Sequence, residues 1–529
     1  MRSALAVALA SSAIAGCSLI YNPSNLPGPP GEAGIDAPPD APPDAPPDAE
    51  VILDADPTML ALDRIAPSTI DEGQGDGGSR PALVVIGGHQ IIDNNTTVEI
   101  TADSGTALLE VGAPVVAKNG NWVAVLVTAH VDPALGKGAS RALTVKVTQT
   151  LPPDAGGGTK TGSLSGKLTL VGYSELDMLA KLPMTGGKVN SPMLDPMYSK
   201  VDLSGMAIPK LGGTDRAIVH SVSEIKLGNL EATGADGAGA MVAGEAGGCG
   251  GGGPGASSPC NTIGGAAGIT NTVGGGGGGG GGFAASGAVG NGMGGGAGGM
   301  RTGDELIVTY GGGFNGLSEN RAGGGGGGGA TLLLVAGGGG AAGGGSIELT
   351  AGGNVSVGTI TANGGNGKPG GLAGGGGGGA GGLVMVRAGG TLATGAISVK
   401  GGQAGSGTSG GGAGSDGRVR WDVETGSAPT VAVGVRTVHR GPAFMLTTRV
   451  FRTTDPTMTV VGTAGDRFDV SVENEGMSYP GESTMIAGNG MGVFSPPLHQ
   501  GLNRVCILLE GGKPRTSEAE KCVDVAFLP

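Results

Sequence analysis

I-E-L-T-A-G-G-N-V-S-V-G-T-I-T-A-N-G, residues 347–364, returns at residues 384–401 as V-M-V-R-A-G-G-T-L-A-T-G-A-I-S-V-K-G, and every glycine coincides after a shift of 37. A partial copy at residues 225–234, I-K-L-G-N-L-E-A-T-G, matches the second half of the unit. Self-similarity of this kind marks a repeat architecture, in which each unit covers its apolar face with the next. Apolar residues alternate inside the unit, Ile347 with Leu349, Val355 with Val357, Ile360 with Ala362, so each short strand has one buried face. Gly352, Gly353 and Gly358 supply positive φ or tight turns at the corners. The pattern predicts successive faces of a parallel β-helix.

Between these strands lie runs of nine (Gly274–Gly282), seven (Gly323–Gly329) and six (Gly374–Gly379) glycines. Ordering a glycine costs roughly 1–2 kcal/mol of backbone entropy and buries no side chain, so such runs are ordered only where backbones pack on one another. Polyglycine II helices, joined by N–H···O and Cα–H···O bonds, are one solution; flexible loops projecting from a β-helix are the other. No strict Gly-X-Y period occurs, which excludes collagen. Residues 151–424 form the glycine-rich, β-helix-like centre on this reading. Residues 164–227, with Leu168-Thr169-Leu170 and Val201-Asp202-Leu203, would supply its opening coils.

The strand-turn-strand units resemble the coils of filamentous-haemagglutinin-like adhesins, and the glycine runs resemble the glycine-rich tips of some phage adhesins and some antifreeze proteins. Mycobacterial PE-PGRS surface proteins share the glycine texture but carry another N-terminal domain. The resemblance is of texture and brings no binding residue with it.

Outside the centre the composition is ordinary. Residues 59–150 alternate as half-buried strands do, at Leu83–Ile86, Val98 and Ile100, Val123-Val125-Val127 and Leu143-Val145-Val147. Ile65-Ala66-Pro67, then Gly73, then Val84-Val85-Ile86-Gly87-Gly88 and a late Leu143-Thr144-Val145 strand resemble the IPT/TIG class of immunoglobulin-like domains, which implies a spacing or binding module without catalytic residues. Residues 425–529 show similar runs at Val431-Val433-Val435, Phe468-Val470-Val472, Val505-Ile507-Leu509 and Val523-Val525-Phe527, and a second Ig-like sandwich is the simplest reading. The expected fold class is therefore all-β: Ig-like sandwich, parallel β-helix-like centre, Ig-like sandwich.

Met1 and Arg2 precede an apolar run, Ala4–Ala15, too short for the ~20 residues that span a bilayer, as in a signal peptide at residues 1–16. Ile14-Ala15-Gly16-Cys17 resembles the bacterial lipobox, which implies cleavage before Cys17 and lipidation of that cysteine. Several acyl chains anchor stably where one does not. Ser18, rather than Asp, favours the outer membrane under that resemblance. Ala13-Ile14-Ala15 also fits an ordinary A-x-A cleavage site, which would release a secreted or periplasmic protein.

Residues 17–58 hold the Asp-Ala-Pro-Pro repeats of residues 36–48 and eight acids with no Lys or Arg, which reads as an acidic, Pro-rich spacer. At ~3.1 Å per residue in polyproline II, some 30 residues reach about 90 Å. Net charge is −13, and no basic stripe with interleaved aromatics occurs, so nucleic acid is a poor partner. The partners expected are the membrane, through the N-terminal lipid, and surface polysaccharide or extracellular matrix.

Five cysteines divide into Cys17 and four that can pair. Local pairing gives Cys249 with Cys260 and Cys506 with Cys522; other connectivities remain open. The five histidines are scattered, no metal site or cofactor is implied, and the Gly-x-Gly-x-x-Gly matches lack the following helix and acid. A polysaccharide-cleaving β-helix needs clustered Asp with Arg or Lys on one coil face, whereas the repeats offer only scattered Glu348, Arg387 and Lys400. The expected function is accordingly a non-catalytic, structural or adhesive cell-surface lipoprotein, the alternative being a carbohydrate-active or glycan-binding protein on the β-helix.

Overall fold

The computed structural model describes residues 60–529, apart from residues 92–94, 137, 152, 154–156, 177–183, 186–187, 190–196, 209, 212–216, 239–249, 260–262, 272–273, 301–322, 333, 426–427, 433–436 and 510–519. The fold is all-β. Among the described residues the one helical element is a 3-10 turn, Asp76–Gly78.

Two sheets face each other at the N-terminal side. One orders its strands Leu62–Ala66, Ala82–Gly88, Trp122–Ala129, Leu109–Val111, and the other Thr69–Asp71, Thr159–Val171, Ser140–Thr150, Thr96–Ala102. Thr159–Val171 pairs along Ser140–Thr150, so this sheet extends past residue 150. Val84, Ile86, Val123 and Val125 of the first sheet share one core with Val145, Val147, Leu168 and Leu170 of the second. Each such burial contributes about 1.5–3 kcal/mol. A similar two-sheet arrangement lies at the C-terminal side. Phe444, Val460 and Phe494 there pack on Phe468, Val472, Val505 and Val525 from the facing sheet.

The repeat copies between them stack in parallel. Ile347 lies opposite Val384 and Ile360 opposite Ile397, each offset by one repeat, while Ile225 lies opposite Val355 and Leu230 opposite Ile360. Arg418–Thr425 and Thr437–Arg440 add further parallel storeys, carrying the stack past residue 424. Asparagine side chains tie one storey to the next. Asn354, Asn363 and Asn366 each accept, through Oδ1, the backbone N–H 37 residues on, from Thr391, Lys400 and Gln403, at 2.8–2.9 Å.

The corner glycines have a different reason from the one expected. None of Gly352, Gly353 and Gly358 takes positive φ. A Cβ on Gly352 would instead strike the Val222 carbonyl of the storey beside it, and one on Gly353 the Gly77 carbonyl of the first sandwich. Proximity, not handedness, excludes a side chain there.

The chain follows the stack to Gly237, which donates to the Asn366 carbonyl, and rejoins it at Ser346–Ala351. The intervening glycine-rich chain is ordered where described. Gly276, Gly279 and Gly282 donate to Ile269, Ala266 and Ile263; Gly277 and Gly280 donate to Asn291 and Ala288; Gly278 and Gly281 donate to Gly375 and Gly378. Each third amide therefore points to the same neighbour, the signature of a left-handed helix of three residues per turn. The carbonyls of the same run accept from three more segments: Gly276, Gly279 and Gly282 from Ala330, Gly327 and Gly324; Gly277 and Gly280 from Gly296 and Gly299; Gly278 and Gly281 from Gly412 and Ser415. One glycine helix thus has six neighbours.

The three long runs are also neighbours of one another: Gly377 and Ala380 donate to Gly327 and Gly324, completing the triangle with Gly274–Gly282. A Cβ on Gly278 would fall on the Gly327 carbonyl and one on Gly377 on the Gly279 carbonyl. The purest glycine therefore occupies the inside of the bundle. Segments richer in other residues, such as Ile263–Ile269 and residues 402–415, surround it.

The two sandwiches touch directly. Leu83, Val85, Trp122 and Ala124 on the outer face of the first share a small core with Ala526 and Leu528. This is why Ala82–Gly88 is buried on both faces, where a half-buried strand would alternate.

Candidate functional site

Residues 72–79 of the first sandwich lie on the stack: Asn354 donates its N–H to the Gly77 carbonyl at 2.8 Å, and the site where a Cβ of Gly77 would stand is filled by Glu224. The C-terminal sandwich reaches the same sheet through Lys521, whose Nζ donates to the Asp422 carbonyl at 3.2 Å. Where the three meet is a cavity of about 690 Å³, within the range of small-molecule sites.

Its floor is the outward face of the parallel stack. The inward residues Leu349, Val386 and Val423 belong to the stack core, so alternation turns Thr350, Arg387 and Asp422 outward. Register places His220, Thr350, Arg387 and Asp422 in one row across four storeys, spaced by the ~4.8 Å between strands. Glu348, Met385 and Arg420 form the row beside it. Arg420 grips Asp422 with Nε at 2.8 Å from Oδ1 and NH2 at 3.2 Å from Oδ2. Arg387 Nε lies 3.8 Å from Asp422 Oδ2. Arg80 from the first sandwich pairs with Glu424 and donates to the Phe444 carbonyl at 3.0 Å. The hydroxyl of Thr350 and Nε2 of His220 are buried, with no hydrogen-bond partner among the described residues.

These groups shift one another. Burial pushes the Asp422 carboxyl up, but Arg420, Lys521 and Arg387 together outweigh it and hold it well below the usual carboxylate range. Burial pushes the Lys521 amine down to about 8, against the attraction of Asp422 and with the repulsion of Arg387, Arg420 and Arg80. Asp71, which also lines the cavity, is raised by burial despite the Tyr173 hydroxyl that donates to it at 3.2 Å. Asp422 therefore stays ionised, and Lys521 sits where a nearby anion changes its protonation.

The expected site residues fall as follows. Ile14, Ala15, Gly16 and Cys17 lie outside the described residues, as do Cys249 and Cys260. Cys506 and Cys522 are bonded, facing each other on neighbouring antiparallel strands with Cα atoms 4.0 Å apart, and both line the cavity. Glu348 and Arg387 come together on the outward face, whereas Lys400 is exposed on another side of the same stack, its N–H donating to Asn363 Oδ1. His130 bonds Asp76 through Nδ1 at 2.7 Å, and His499 stacks on Tyr479 with ring centroids 3.9 Å apart. Arg80, Asp422 and Lys521 were not singled out from the sequence. Adding the repeat length to Thr350 reaches Arg387, and 35 more reaches Asp422, so projecting polar residues along the repeat is the signal that finds the row.

A second surface lies at one end of the glycine bundle, where five turns meet. Thr270 Oγ1 donates to the Thr331 carbonyl, Thr408 Oγ1 to the Leu372 carbonyl, and Gly292 and Gly294 abut Ser409 and Ile269. Ile269, Met293, Leu334 and Leu372 are exposed there, between 66% and 101%.

Comparison with known proteins found no matching family model, no matching curated protein and no matching solved structure.

Proposed function

We propose that this chain is a non-catalytic cell-surface lipoprotein with a structural or adhesive role, held by lipid on Cys17 and displayed on the acidic spacer. The observation that carries it is Ile14-Ala15-Gly16-Cys17 followed directly by the Pro-Asp-rich stretch. The glycine bundle supports it as well: its end exposes Ile269, Met293, Leu334 and Leu372 together, as suits contact with another surface. Fractionation and protease shaving of cells carrying wild type or Cys17→Ala test the anchor. Wild type should be membrane-held and shaved from intact cells, and the variant should leave the membrane with a mass shift. An unshifted, membrane-held variant overturns the reading.

A second reading, glycan recognition on the stack, is favoured by the cavity. Hydroxyl, amide and charged groups, such as Thr350, Gln74 and Arg387, line it together with Phe444, the mixture that hydrogen-bonds a polyhydroxyl ligand.

A further inference from the structure

We propose that one side of the glycine bundle is a latent contact surface for a second copy of this chain, kept closed by the side chains of Ala288, Val289, Ala297 and Ala413. Three segments lie side by side there. Gly287 and Gly290 donate to Gly299 and Gly296 on one flank, and Ala288 and Asn291 donate to Ala413 and Gly410 on the other. Behind them is the inner run, whose Gly277, Gly278 and Gly280 carbonyls accept from Gly296, Gly412 and Gly299. In front, the amides of Val289, Ala297 and Ala413 donate to nothing among the described residues, and the carbonyls of Val289 and Gly298 accept from nothing there.

The residue types follow this geometry. A Cβ on Gly287 or Gly290 would strike the Gly280 or Gly277 carbonyl, one on Gly298 the Gly287 carbonyl, and one on Gly412 the Ala288 carbonyl. Between these glycines, Ala288, Val289, Ala297 and Ala413 are exposed. Glycine stands where a neighbour presses on the chain, and a side chain stands where the packing ends. An open row of amides and carbonyls is a template for another main chain, as the edge of a β-sheet is. The four outward side chains block it, because a further glycine helix coming to hydrogen-bonding distance would meet their Cβ atoms.

The occupant that fits is the same face of a second copy. The row calls for another helix of three residues per turn, and the three long glycine runs of one copy are already engaged with one another. Direction is no obstacle to a two-fold pairing, since the bundle contains both arrangements. Gly276, Gly279 and Gly282 donate to Ile269, Ala266 and Ile263 in antiparallel order, and Gly278 and Gly281 to Gly375 and Gly378 in parallel order.

The test compares the full-length wild type in detergent with Ala288→Gly/Val289→Gly/Ala297→Gly/Ala413→Gly and with Ala288→Ser/Val289→Thr/Ala297→Ser/Ala413→Ser, which keeps every Cβ. Sedimentation over a concentration series reads association, and hydrogen exchange reads where it occurs. The glycine variant should associate at least about tenfold more tightly than wild type, with the amides at positions 289, 297 and 413 slowed as it does so, while the Ser/Thr variant matches wild type. In wild type those three amides should exchange rapidly at every concentration. A glycine variant no more associated than wild type, with Gly276–Gly282 still protected, overturns the proposal. Slow exchange at Val289 and Ala297 in wild type overturns it too, as does equal association of the Ser/Thr variant. Should the four changes together cost the inner run its protection, Val289→Gly/Ala297→Gly is judged by the same outcomes.

Discussion

Around Leu143 the interior of the molecule is side chain; around Gly278 it is main chain. The first sandwich buries Leu143, Val145, Val147 and Leu168 to below 1% exposure and lets water exclusion hold two sheets together. The glycine bundle has no side chain to bury along its inner helices. It is held by N–H···O bonds radiating every third residue, and its close packing is possible because no Cβ intervenes. In the sandwich, a position tolerates several apolar residues of similar volume. In the bundle, an inner position tolerates one residue type. The lesson is that a low-complexity sequence can be the stricter specification.

The comparison is broken most decisively by hydrogen exchange. Amides of Gly276–Gly282 should exchange at least about 10⁴-fold more slowly than in a free peptide, comparable with those of Val145 and Val147. Free-peptide rates in the run would remove the bundle altogether. Next in size, Gly377→Ala should cost about 3 kcal/mol or more in denaturant unfolding, since its Cβ collides with the Gly279 carbonyl. Leu143→Ala should cost about as much by the opposite mechanism, an unfilled cavity. Equal tolerance of alanine at Gly377 and at an open glycine would show that main-chain packing is not what excludes side chains.

The double variant Cys506→Ala/Cys522→Ala, which opens a loop of 16 residues, should lose about 3 kcal/mol in the same assay. Smaller again is a pH effect at the cavity. Lys521 titrates near 8 when folded and near 10.5 when unfolded, so between those values the unfolded chain holds more protons. Stability from this group therefore rises with pH over that window, by about 1 kcal/mol per pH unit, and Lys521→Met should flatten the rise. Smallest is Gly136→Ala, which has nothing within 4 Å of the added carbon and should change stability by less than about 0.5 kcal/mol.

The sequence makes some of these features legible and hides others for physical reasons. The all-β class follows from alternation at Leu143-Val145-Val147 and at Ile347-Leu349, because a strand records its buried face locally. The storey-on-storey offset follows from the repeat itself. Six-neighbour packing does not, since the partner of Gly278 is Gly375, and nothing in a run of identical residues names a distant acceptor. Run length was the remaining trace: the three longest runs are the inner ones. The charged row is hidden in the sequence because its members Thr350, Arg387 and Asp422 are adjacent only once the repeat is folded back, and Arg80 and Lys521 arrive from other parts of the chain. The glycines at the bends of the stack take no positive φ, and it is crowding by the Val222 and Gly77 carbonyls that excludes a side chain at Gly352 and Gly353, a contact no local pattern records.

The three-residue turn of the bundle sets a rule for its inheritance. Adding or removing three residues within a run lengthens or shortens a helix by one turn and leaves every later amide aimed at the same neighbouring segment. A single-residue slip rotates the remainder by a third of a turn and redirects each donor at once. A glycine tract is the kind of coding sequence most prone to slippage, so this bundle should evolve in quanta of nine nucleotides, with other length changes confined to the turns at its ends.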